Sequence, residues 1–75
     1  MQARFPIGLK FKYYARKHNN QMEILDIYTT RNFTGQIVRI EYLVAHQFLG
    51  SQITELMGDT GIARSLTPEQ FKLYI

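Results

Sequence analysis

Leu9-Lys10-Phe11-Lys12-Tyr13-Tyr14-Ala15 alternates apolar and polar side chains at period two, which predicts a half-buried strand over residues 9–15 with Leu9, Phe11 and Tyr13 inward. Residues 16–21 are polar throughout and contain an Asn-Asn pair that tolerates positive φ, so an exposed loop is expected there. Residues 22–30 are rich in Ile, Leu, Tyr and Thr and read as a second strand. Their apolar residues fall on both parities, which calls for a bulge or for cover on both sides. Arg31-Asn32-Phe33-Thr34-Gly35 then separates two strand-like runs, with Gly35 free to take the left-handed conformation that closes a hairpin loop.

Residues 36–48 form the longest strand candidate, with Val38, Ile40, Tyr42 and Val44 on one face and Arg39 and Glu41 on the other. A strand of that length is expected to bend and to serve two sheets of a small barrel. Leu49-Gly50-Ser51 offers a turn into a strand over 52–57, and Gly58-Asp59-Thr60-Gly61 a turn into a fifth strand over 62–66. Thr67-Pro68-Glu69-Gln70 has the cap, proline and Gln spacing of a helix start, so a short helix over 68–74 is expected, with Phe71, Leu73, Tyr74 and Ile75 supplying its apolar side. The fold class that follows is mainly β: a small antiparallel SH3-like barrel of about five strands with a short C-terminal helix, occupying residues 1–75 as one domain.

The chain's 75 residues confirm the single-domain expectation: at this size nearly all apolar side chains must serve one core, with little left to line a deep cleft. No cysteine is present, so there is no disulfide, thiolate nucleophile or cysteine-ligated zinc, and a reducing cytoplasm suits the chain best. Met1 to Gly8 lacks the basic and long apolar stretches of a secretory leader, no apolar run spans a membrane, and the Asn32-Phe33-Thr34 sequon is read as chance.

Little in the sequence points to catalysis. Asp59-Thr60-Gly61 matches the tripeptide that carries the catalytic carboxylate of aspartic proteases, which a homodimer would have to complete; lying between two glycines, it reads rather as a turn. His18 and His46 are far apart and have no carboxylate at metal-ligand spacing, so neither a metal nor any other cofactor is expected. His46 shares the parity of Val38 to Val44 and reads as a partly buried strand residue. No phosphate-binding glycine loop, nucleophile elbow or spaced carboxylate pair is present, and a non-enzyme is expected.

Two binding surfaces are more plausible on chemistry. Lys10, Lys12 and Tyr14 on the outward parity of the first strand, continued by Arg16 and Lys17, interleave positive charge with an aromatic ring, as a nucleic-acid track requires. Lysines on an edge strand equally serve solubility, and a net charge of +3 is modest with Glu23, Asp26, Glu41 and Glu55 scattered among the bases. Ten aromatic residues exceed the needs of one small core. Phe5, Phe11, Tyr42 and Phe48 are expected inside; of adjacent Tyr13 and Tyr14 only one points inward; Tyr28, Phe33 and Tyr74 sit near loops or the chain end, with Phe33 at a hairpin tip the leading anchor for a protein interface.

Tyr28-Thr29-Thr30, Asn32, Gly35, Val38, Tyr42, His46, Phe48-Leu49-Gly50, Ile53-Thr54 and Gly61-Ile62-Ala63-Arg64, after a Phe5-Pro6-Ile7-Gly8 start, resemble a group of small proteins encoded by tailed bacteriophages and prophages, over about residues 5–66. Gly61 stands where that group has Thr. The resemblance implies a phage or mobile-element origin and brings no catalytic residues with it. A viral domain of this size is expected to bind and block a host bacterial protein in the host cytoplasm, including a component of a defence system, as anti-CRISPR proteins do. Tyr14, Arg31, Phe33, Arg39 and Arg64 are the candidate contacts. The alternative is a nucleic-acid-binding barrel using Lys10, Lys12, Arg16, Lys17 and Arg39 on phosphates. A third reading is self-association through a strand edge or the C-terminal helix.

Overall fold

The computed structural model describes residues 2–14 and 21–74, with the side chain of Phe48 outside that description. The expected loop, with Arg16, Lys17 and His18, therefore lies almost wholly outside the described residues. Four strands, β1 (Lys10–Lys12), β2 (Gln21–Arg31), β3 (Ile37–Phe48) and β4 (Ser51–Gly58), form one antiparallel sheet in the order β1-β2-β3-β4. Two helices follow, α1 (Asp59–Ser65) and α2 (Pro68–Lys72).

The mainly β, antiparallel reading holds; the closed barrel of five strands does not, because the sheet stays open and the segment expected as a fifth strand is α1. Gly58 caps this helix in an extended conformation and Asp59 begins it, so Asp59-Thr60-Gly61 is the first helical turn rather than a loop. Ile62 is buried, with Ala63 and Leu66 half-buried beside it. That i, i+1, i+4 spacing is one face of a helix. Among the described residues no strand follows β4 to close the sheet, and β3 pairs within one sheet instead of bending between two.

Both departures from strand periodicity are bulges. Ile24 pairs with Val44 and Asp26 with Leu43, leaving Leu25 as an extra residue in β2. Burial accordingly runs from Met22 and Ile24 to Ile27, skipping one position. Thr30 pairs with Arg39 and Arg31 with Ile37, leaving Val38 extra in β3. Val38, expected inward, is thus 52% exposed, while Ile37 packs against the core.

The inner face of the sheet carries Phe11, Met22, Ile24, Tyr42, Val44 and Met57, closed by Phe5 from the N-terminal segment and Ile62 from α1. β1 is shorter than expected, yet Leu9 and Phe11 are buried, Tyr13 is half-buried and Tyr14 points out, as the alternation requires. At α2, the Thr67 hydroxyl accepts from the Gln70 backbone N–H at 3.2 Å while the Gln70 side chain accepts from the Thr67 N–H, a complete capping box. The helix docks: Tyr74 meets the Phe5 ring edge-on at 5.8 Å, and Gln70 Nε2 donates to the Lys10 carbonyl at 3.1 Å. The helix itself buries no residue and ends at Lys72, short of the expected 74; Tyr74 just past it packs against the core, and Leu73 faces solvent.

Candidate functional site

β4 ends opposite Glu41, and β1 pairs no further along β2 than Glu23. From Tyr28 to Ile40, therefore, β2 and β3 pair only with each other among the described residues; Ile37 and Ile40 keep one face of this two-stranded ribbon on the core, and the exposed loop from Phe33 to Gln36 lies beyond it.

The Asn32 side chain accepts most of the side-chain bonds that hold the ribbon's tip. Asn32 Oδ1 accepts the Thr34 hydroxyl at 2.6 Å, the Thr34 N–H at 3.0 Å and the Gln36 N–H at 3.0 Å. The Asn32 backbone N–H donates to the Gln36 carbonyl at 2.9 Å, and Gly35, at φ +87°, donates to the Asn32 carbonyl at 3.0 Å. Arg31 Nη1 adds a bond to the Gly35 carbonyl at 2.7 Å. Only glycine enters that left-handed region cheaply, so Gly35 lets the chain reverse while Asn32 satisfies the donors the reversal turns inward. Phe33 is carried at the apex, the residue fully exposed at 101%.

The five candidate protein contacts fall into two groups. Arg31 and Phe33 lie at the tip and Arg39 toward the ribbon's base, where it pairs with Glu41 at 3.4 Å and borders a hollow of about 360 Å³ shared with Arg4 and Asp59. Tyr14 and Arg64 are exposed at the other end of β2: the Tyr14 N–H donates to Ser65 Oγ at 3.2 Å, beside Arg64. The basic candidates do not converge either. Lys12 pairs with Gln21 and Arg39 with Thr30, nine positions apart along β2. At about 3.3 Å per residue this is roughly 30 Å, too far for one continuous phosphate track without further cations between. Lys10 also faces Glu23 across the strand pair.

Asp59, the acid of the protease-like tripeptide, is engaged in structure. Arg4 Nε lies 3.1 Å from both its carboxylate oxygens, Arg4 Nη2 donates to Oδ2 at 2.6 Å, and the Tyr42 hydroxyl donates to Oδ1 at 3.3 Å. The bond to Asp59 holds the Arg4 guanidinium above its already high value, and burial, reinforced by the Asp59 charge, pushes the Tyr42 phenol up, with backbone hydrogen bonding from Phe5 and Arg4 opposing it. Composition alone could not single out Arg4, because its partner is 55 residues away. His46 is buried on the inner face of β3 at 6% exposure. Among the described residues no three His, Asp or Glu side chains gather as a metal site, and no helix is long and apolar enough to cross a membrane.

No protein-family model matches the chain, and no curated protein or solved structure is significantly similar to it.

Proposed function

We propose that the chain is a non-enzymatic binding module of phage type that occupies a surface of a host bacterial protein in the host cytoplasm, one class of target being a component of a defence system. The observation that carries this reading is Phe33: a large apolar ring fully in solvent at the apex of a loop whose Asn32, Thr34, Gly35 and Gln36 N–H groups are already paired. An exposed aromatic costs solubility and contributes nothing to the core, whereas on a rigid support it enters a partner's pocket with little ordering cost. Arg31 and Arg39 on the same ribbon supply the polar margin of such a contact, with no Asp or Glu between Ile27 and Ile40.

The nucleic-acid reading draws on Lys10 and Lys12, which the sheet holds apart from Arg39, with Arg16 and Lys17 outside the described residues. The test is affinity capture from bacterial lysate by the tagged chain, with and without nuclease, read by mass spectrometry. One protein retained in near-stoichiometric amount after nuclease supports the proposal. Capture of many proteins that disappear with nuclease contradicts it and favours phosphate binding, whose affinity falls with salt at a log-log slope of about −0.9 per contact on duplex DNA.

A further inference from the structure

The two edges of the sheet are built differently. β1 has three residues, two of them lysines, and its Lys10 carbonyl is taken by Gln70 from α2. Short length, lysines and a covering side chain are the means by which a sheet edge is kept from recruiting another strand. Among the described residues β4 has none of them. It runs for eight residues, Ser51 to Gly58, in unbroken register with β3, with no lysine, no proline and Glu55 as its one charge. No described residue pairs with its outer side. Alternate N–H and C=O groups along that side point away from β3, the template on which an added strand forms.

We propose that the outer edge of β4 is a self-association surface, on which a second copy of the chain pairs antiparallel about a two-fold axis at Ile53, extending the sheet from four strands to eight. The sequence of β4 is self-complementary in that register. Ile53 meets Ile53 of the second copy, Gln52 meets Thr54 and Ser51 meets Glu55, so aliphatic faces aliphatic, amide faces hydroxyl and hydroxyl faces carboxylate. The two Glu55 side chains then stand four positions apart, about 13 Å at ~3.3 Å per residue and beyond a Debye length of about 8 Å. An axis at Thr54 would instead set each Glu55 against Ile53 and bring the two carboxylates diagonally together. The Ile53 axis also lays exposed Leu56 across from Gly50, where no side chain obstructs it, and ends the pairing before α1 begins at Asp59.

This inference is independent of the Phe33 reading and adds a consequence to it. The two β3 strands of such a dimer run antiparallel, so the two Phe33 tips point in opposite directions and can engage two partner sites. Edge pairing of this length gives an interface smaller than the roughly 1,200–2,000 Å² of tight complexes, so the dimer is concentration-dependent.

The test is sedimentation velocity of the full chain up to about 1 mM, a range chosen for a weak interface. The expected result is a rise from 8.8 kDa toward twice that mass. Ile53→Lys and Ile53→Glu each place like charges face to face and shift the association midpoint at least about tenfold higher, and mixing the two variants restores dimer. Hydrogen exchange on the wild-type chain supplies a readout that does not depend on variant folding: β4 amides gain protection with concentration while amides of the Tyr28–Ile40 ribbon do not. A wild-type chain that stays at 8.8 kDa throughout, a dimer unmoved by either variant, a mixture that fails to reassociate, or β4 amides unchanged by concentration would overturn the proposal.

Discussion

The side chain of Asn32 accepts the hydroxyl of Thr34 at 2.6 Å, bracketing Phe33 between the two residues that hold the loop. Phe33 itself touches nothing that stabilises the fold. Phe33→Ala is therefore expected to leave the melting temperature within a few degrees, corresponding to about 0.5 kcal/mol or less, and to cost about 2–4 kcal/mol of partner binding. Calorimetry and a binding titration on one preparation check both halves.

Asn32→Ala separates rigidity from contact. It removes three acceptor interactions without altering Phe33, so partner binding weakens while the anchor ring remains. The loss is expected to be about 1–2 kcal/mol and to appear mainly in the dissociation rate, measurable by surface plasmon resonance.

Tyr42 links the core to the N-terminal segment and gives stability a predictable pH dependence. Burial raises its phenol above the ordinary value of 10.0, so above that pH the folded state holds the proton more tightly than the unfolded chain does. The sign follows: this contribution is complete below about pH 10 and is lost as pH rises through the folded value. Tyr42→Phe is expected to lower stability by about 0.5–1.5 kcal/mol at neutral pH and to remove this part of the alkaline decline. Urea unfolding of both chains between about pH 7 and 11 reads both effects.

Ile62 tests the helix that replaces the expected fifth strand. Its side chain is fully buried under the sheet, so Ile62→Ala is expected to destabilise by about 2–5 kcal/mol, and Ile62→Val by about 0.5–1.5. The exposed neighbour Arg64→Ala should change little. A strand at this position, alternating in and out, would make Ile62 and Arg64 equally sensitive.

Leu49 occupies the first position of the two-residue turn between β3 and β4 at φ +50°, followed by Gly50 at +82°. Both central residues at positive φ define the turn type that prefers Asn-Gly. Leu49→Asn is expected to stabilise by about 1 kcal/mol, raising the melting temperature by about 4–8 °C. Leu49 is 90% exposed, so no packing is lost in exchange.

What could be read from the chain is what short-range chemistry decides. The Gly35 reversal, the Thr67–Gln70 capping box and the parity break that became the Leu25 bulge each involve residues within a few positions of one another. Helix α1 was hidden because glycines on both sides of Asp59-Thr60 resemble turn punctuation, although Ile62, Ala63 and Leu66 already had helical spacing. The bulge at Val38 left no such trace, since Val38 continues the apolar parity of Ile40 and Tyr42. Phe33 was legible as a candidate, but its setting was not: β2 and β3 are flanked by no other strand there among the described residues because β1 and β4 stop short, which depends on pairing across the whole sheet. The same long-range register separates Tyr14 and Arg64 from Arg31 and Phe33.

The central claim is that Phe33 anchors a host protein, and the most direct measurement is parallel nuclease-treated capture from bacterial lysate by the wild-type chain and Phe33→Ala, after circular dichroism shows equal folding. The account predicts one protein retained by wild type and depleted at least about tenfold with the variant, as loss of an interface anchor requires. Equal retention of the same protein by both chains would contradict it.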